Sequence, residues 1–187
     1  LSDCLLAADG RAAADALPDR CLRPNMLFAI SLGLVDGMRA RRCAAAAERF
    51  LLVPGALRTL APLSVDPPLE ILAADGRMLA DPLRPYQGHY EGDEDTRRKP
   101  AYHNGTAWPW LLPTFCEAVV RAWDGAPTAR SAARAWLGSA DLLLDSNCLG
   151  QLPEIIDGDA PHTQRGCDAQ AWSVSETLRV WRLINEA

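Results

Sequence analysis

The sequence has no excess of positive charge. Its 187 residues carry 19 Lys and Arg against 24 Asp and Glu, a formal net charge of -5, and the pI is near 5.2. Such a surface is not built to neutralise the phosphates of nucleic acid or the head groups of anionic lipid. No apolar run approaches the roughly 20 residues that span a bilayer. The first residues, LSDCLLAADG, have neither the basic start nor the long apolar stretch of a secretory signal. Neither nucleic acid nor membrane is expected as a partner, and a cytoplasmic location is the default. There is no C-x-x-C pair either. Cysteines at 4, 21, 43, 116, 148 and 167 are scattered, and none clusters in sequence with His89, His103 or His162. That is not metal-ligand spacing. An even number of cysteines permits a disulfide framework, but such scaffolds are shorter and poorer in core residues, so free buried thiols are preferred. Cys167 with His162 as a catalytic pair is disfavoured.

Low-complexity tracts and a second domain are absent as well. With 49% hydrophobic and 23% charged residues, residues 1–187 read as a single segment of ordinary globular composition. The chain opens at Leu1, in a loop and without an initiator methionine, and is expected to be a fragment of a longer protein.

What is present is helical periodicity, with little strand-like alternation. Residues 25–34 (NMLFAISLGL) form a short apolar helix after Pro24. Asp36 caps a second, alanine-rich helix through about Leu52, closed by Pro54 and Gly55. From Gly55 to Asn104, prolines, glycines and the charge run EGDEDTRRK leave room only for a small hairpin around Asp75-Gly76. Thr106 is the expected cap of a third helix, to Trp123, with Trp108, Leu111, Leu112, Phe115 and Val119 on its stripe and a kink at Pro113. A fourth runs from Pro127 or Thr128 to near Asn147. A fifth, from Ala169, places Val174, Leu178, Trp181 and Asn185 on one face.

The five helices are joined alternately by short and long connections. In an antiparallel stack this collects the long loops, residues 1–24, 55–104 and 151–168, on one rim, where they can build a site together. Each loop ends at an unusual helix start: RPNM, HNGTAWPWL and CDAQAW. Flat aromatic faces beside carboxylates, amides and guanidinium groups suit a carbohydrate cleft. The plainer assignments are that Trp123, Trp136 and Trp181 are core, that Asp157, Asp159 and Asp168 are turn or cap residues, and that Arg97, Arg98 and Lys99 are a solvated charge run. Trp108, Trp110 and Trp172 stand evenly between rim and core.

Glu154 is set apart. It lies between Pro153 and the pair Ile155-Ile156, where an idle carboxylate would be costly to desolvate. A held but reactive carboxylate is what glycoside hydrolysis needs.

RPNM at 23–26, LRTLAP at 57–62, GHYEGD at 88–93, AYHNGTAWPWLLPTF at 101–115 and GQLPEIIDGDAPHTQRGCDAQAWSVSETLR at 150–179 together resemble the C-terminal part of the amylo-α-1,6-glucosidase domain of glycogen debranching enzymes. The resemblance implies an all-α fold, the last five helices of a glucoamylase-like (α/α)6 barrel, with those near 25–34, 106–124 and 169–186 lining its inside. It implies Glu154 as general base, and a general acid carried by an earlier part of the barrel that no segment here matches. The motif positions also mark Arg23, Asn25, Glu91, His103 and Asp157 for hydroxyl contacts or support of the base, and Trp108, Trp110 and Trp172 for a sugar platform. No metal or organic cofactor is implied. The implied partner is a branched α-glucan such as glycogen or limit dextrin, together with the remainder of the barrel or self-association. Two positions depart from the family pattern: Met26 stands where a glutamine is usual and Ile156 where a phenylalanine is usual. The first puts the sugar preference in doubt.

The expected chemistry is inverting hydrolysis of α-1,6-linked glucose, with the two carboxyls about 6.5–9.5 Å apart around the attacking water. Alternatives from other classes are a glycosidase acting on another sugar, such as trehalose or a mannoside, a noncatalytic glucan-binding module, and a purely structural helical domain.

Overall fold

The computed structural model describes residues 1–7 and 9–186. Helices form at the five expected places: α1 at Met26–Ser31, α2 at Gly37–Phe50, α4 at Leu111–Ala122, α5 at Pro127–Gly138 and α7 at Ala171–Glu186. Short helices α3 (Lys99–Tyr102) and α6 (Asp141–Leu144) lie between them, and a π-helical turn spans Glu94–Arg98. None of these helices is long and apolar enough to cross a membrane.

α4 is the centre of the molecule. Every residue from Leu111 to Ala122 is buried except Arg121, and α1, α2, α5 and α7 all pack on it. α2 meets it through Ala40, Cys43, Ala44 and Ala47, a helical stripe of small side chains that lets the backbones come close. Side chains such as Phe115, Leu112 and Ile184 are fully buried, each worth about 1.5–3 kcal/mol of transfer free energy. Glu117 is buried on α4, where it accepts hydrogen bonds from Arg121 Nε (3.1 Å) and from Arg179 Nη2 of α7 (2.8 Å). Two cations offset the cost of desolvating that carboxylate and tie the helices together.

The all-α barrel expectation is overturned. The chain is mixed, 41% helical and 9% strand, with two antiparallel sheets. Strands β1 (Leu5–Leu6) and β2 (Leu17–Pro18) form a two-stranded sheet near the N-terminus. The second sheet has five strands in sequence order: β3 (Leu52–Val53), β4 (Ala56–Arg58), β5 (Ala107–Trp108), β6 (Ile155–Ile156) and β7 (Gln164–Arg165). Its register pairs Leu57 with Trp108, Ala107 with Ile156, and Ile156 with Gln164. Strands of two or three residues are too short to show a period of two, and the pairings that join the loops, β4 with β5 and β5 with β6, connect residues about 50 positions apart. The sheet joins the long loops to one another.

Three local expectations change with it. Thr106 does not cap a helix. It is buried beside β5, where its hydroxyl donates to the Tyr102 carbonyl at 2.7 Å, and α4 begins at Leu111. Pro113 is therefore the third residue of α4, where an N–H has no intrahelical acceptor, so the reason for a kink disappears. The fourth helix stops at Gly138. α7 buries Ser173, Val180 and Ile184, not the expected stripe. Leu178 and Trp181 on that stripe are 51% and 54% exposed, and Trp181 is therefore not core. The turn at Asp75-Gly76 does form, with Leu72 bridged to Met78.

Candidate active site

All three long loops, or the elements that follow them, contribute to one open cavity of about 480 Å³. Its frame is Arg23. The guanidinium donates from Nη1 to the carbonyls of Thr59 (3.2 Å) and His103, and from Nη2 to Asn104 Oδ1 (2.8 Å), while Nε faces Asp3 Oδ2 at 3.7 Å. One side chain thus braces the N-terminal, 55–104 and 101–115 segments, using the planar fork that lysine lacks. Arg23 lines the cavity with three of its N–H donors committed to the protein. Asn25 lines it too and donates from Nδ2 to Asp3 Oδ1 at 2.8 Å. Met26 does not line it; the side chain packs on the core instead.

The apolar wall is built from stacked rings. Trp110 lies against Trp172, centroids 5.3 Å apart and planes at 25°, with Phe28 behind at 5.7 Å. His103 stacks on Trp108 at 5.5 Å and 15°, and Trp108 meets Trp172 at 6.1 Å. Trp108 is 5% exposed and anchored by its indole N–H to the Tyr102 carbonyl at 3.1 Å, whereas Trp172 is 44% exposed. The first is held as part of the core, and the second offers a free face at the cavity edge. Partial burial, with the Arg23 charge second, lowers the His103 pKa below the ordinary histidine value, leaving a neutral imidazole at neutral pH.

Glu154 does not line this cavity. It is partly buried immediately before β6, flanked by buried Pro153 and Ile155. Its Oε1 accepts a hydrogen bond from the Tyr102 hydroxyl and its Oε2 one from the Cys167 N–H at 3.1 Å. Its own N–H donates to the Cys167 carbonyl at 2.8 Å, extending the β6–β7 pairing by one step. Tyr102 is the link to the aromatic wall: its ring stands edge-on to Trp108 at 4.8 Å and to His103 at 4.7 Å. Burial first, and the bond to Glu154 second, push the Tyr102 phenol well above its ordinary pKa, so it remains a donor.

Asp157 and Glu91 belong to a second cluster. Asp157 is 1% exposed and accepts from the Tyr90 N–H (2.8 Å) and from Arg165 Nε and Nη2 (3.1 and 3.0 Å). Glu91 reaches the same guanidinium at 3.6 Å. His89 sits between Asp157 and Asp159, 3.7 Å from each, and Tyr86 donates to Asp159 at 2.8 Å. Asp157 thereby fixes the backbone of Tyr90, whose ring is 5.7 Å from that of Tyr102, and does not line the cavity.

Of the nine residues marked in the sequence, six line the cavity: Arg23, Asn25, His103, Trp108, Trp110 and Trp172. Glu154 adjoins it through Tyr102, and Asp157 and Glu91 stand behind. Asp3, Thr59, Phe28 and Tyr102 were missed. Tyr102 lies within the AYHNGTAWPWLLPTF stretch, but nothing local marks Asp3, whose side-chain partners Arg23 and Asn25 lie 20 or more residues along the chain. All six cysteines are free, and His162 is bonded through Nδ1 to the Asp157 carbonyl at 3.1 Å, not to Cys167. Asp3, Cys4 and Asp19 bring ligand atoms within 4.8 Å of one another, but hydrogen bonds from Asn25, from the Cys21 N–H and within the group already account for that geometry.

A family model described as amylo-alpha-1,6-glucosidase matches residues 77–179, more than half of the chain. The matched stretch contains Tyr102, His103, the three cavity tryptophans and Glu154, and leaves out Asp3, Arg23 and Asn25. No curated protein matches the chain.

Proposed function

Because this chain belongs to the amylo-alpha-1,6-glucosidase family, a family of debranching-type glycosidases, we propose that it removes α-1,6-linked glucose from the branch points of glycogen or limit dextrin, with inversion. The observation that carries this reading is the setting of Glu154. Its two oxygens are each fixed by one donor, Tyr102 and the Cys167 N–H, in a carboxylate that keeps partial access to solvent. A carboxylate has about four lone-pair sites, so capacity remains for a water.

In this mechanism the Glu154 carboxylate takes a proton from that water as the water oxygen bonds to the anomeric carbon. The glycosidic bond breaks, and its oxygen receives a proton from a general acid outside residues 1–187, which leaves both groups in the opposite protonation state to be reset by solvent. The rings of Trp110 and Trp172 provide the platform against which the sugar lies, with Trp108 packed behind them.

The test is Glu154→Gln in the full-length protein that contains this chain. Release of free glucose from a branched limit dextrin falls by about two to four orders of magnitude, the scale of a lost general base, while the far-ultraviolet circular dichroism is unchanged. Unaltered release removes Glu154 from the mechanism.

A further inference from the structure

We propose that Asp3 is a specificity-determining residue of the aromatic cavity: its carboxylate accepts a hydrogen bond from a sugar hydroxyl and thereby selects an uncharged glucosyl unit over a phosphorylated one. The inference rests on the cavity being a glucan site.

The Asp3 side chain is 12% exposed and lines the cavity with the stacked tryptophans. A carboxylate so placed needs its lone pairs filled. Among the described residues only Oδ1 has a hydrogen-bond donor, the Asn25 amide at 2.8 Å. Oδ2 lies 3.7 Å from Arg23 Nε, beyond hydrogen-bond reach, and the remaining nitrogens of that guanidinium are committed to Thr59, His103 and Asn104. Arg23 therefore lends Asp3 a neighbouring positive charge without filling its acceptor sites. A ligand completes the arrangement by supplying an O–H donor next to a flat apolar ring face, which is the surface of a pyranose. A phosphate ester at that hydroxyl supplies no donor at neutral pH and brings like charge against Asp3.

The experiment measures binding of methyl α-isomaltoside, of its monodeoxy analogues and of its 6-phosphate, read from the emission of the cavity tryptophans, in the wild type and in Asp3→Asn. In the wild type, one monodeoxy analogue binds about ten- to hundredfold more weakly than the parent, the worth of a hydrogen bond to a charged group, and the phosphate ester binds more weakly still. In Asp3→Asn, affinity for the parent falls by the same factor, and that one analogue loses nothing further. The wild-type analogue series stands even if the variant does not fold. Equal binding of the parent by both proteins, or no analogue weakened in the wild type, overturns the role of Asp3 and leaves the glucan site intact. Failure of the wild type to bind any of these glucosides overturns the glucosidase reading and this inference together.

Discussion

The Tyr102 hydroxyl donates to Glu154 Oε1, so the carboxylate proposed to activate water is aimed by a phenol whose ring stands edge-on to both Trp108 and His103. Tyr102 has four aromatic or acidic neighbours holding it, counting the Tyr90 ring braced through Asp157. In the proposed mechanism it is a positioning residue: it does not touch the sugar, and it sets where the Glu154 carboxylate points.

Tyr102→Phe removes that one bond and keeps the ring packing. Turnover on limit dextrin is expected to fall about ten- to hundredfold, the range of a single charge-assisted hydrogen bond, with little change in KM or melting temperature, because the lost interaction matters while water attacks and not while substrate binds. With α-glucosyl fluoride, whose leaving group needs no proton, the defect persists. A defect confined to the glucan substrate would tie Tyr102 to leaving-group protonation instead.

The last helix shows where periodicity misleads. α7 carries two apolar stripes: Val174, Leu178 and Trp181 on one side, Val180 and Ile184 with Ser173 on the other. Large residues on the first stripe made it the natural core face, yet the structure turns the second inward, because Ser173 donates to the Pro153 carbonyl at 3.1 Å and Arg179 reaches buried Glu117. Those polar bonds fix the rotation of the helix, and they connect residues 20 and 62 positions apart, outside any window of local pattern. Ile184→Ala is therefore expected to cost about 2–5 kcal/mol, and Leu178→Ala, on the exposed stripe, to stay within about 0.5 kcal/mol. Denaturant unfolding of the two variants checks it, and the reverse order would restore the face expected from sequence.

The site was more legible than the sheet that organises it. Six cavity residues were marked by their positions in motifs that resemble the amylo-α-1,6-glucosidase family, while residue type alone left the three tryptophans evenly between rim and core. The sheet is made of strands two or three residues long, and the β4–β5 and β5–β6 pairings that join distant loops leave no such mark. Its one local trace is glycine. At Gly105 a Cβ would fall 2.1 Å from the Gln87 carbonyl oxygen, and at Gly158 one would fall 2.0 Å from that of Gly105. The 85–92, 101–108 and 155–165 segments cross backbone against backbone there, and only residues without a side chain permit it. Those glycines were visible in HNGT and IIDGD, but their reason for being glycine lies in the other loops.

The cavity also carries a pH response with a fixed sign. Partial burial, and then the Arg23 charge, hold the His103 pKa below its unfolded value of about 6.5. In the window between the two values the unfolded chain binds more protons than the folded one, so stability rises with pH there. The contribution of His103 is thus fully present above about pH 6.5, is lost as pH falls toward the folded pKa, and stops changing below it. The ring is half exposed, so solvent screening keeps the slope small. Melting temperature followed from pH 7.5 to 5 is expected to decline less in His103→Gln than in the wild type, by the portion this imidazole supplies. Because the ring stacks on Trp108, the same acidification should perturb tryptophan emission in the wild type and not in the variant. Parallel declines in both proteins would mean that His103 protonates as freely in the folded wall as in water, and that the Arg23 brace does not reach it electrostatically.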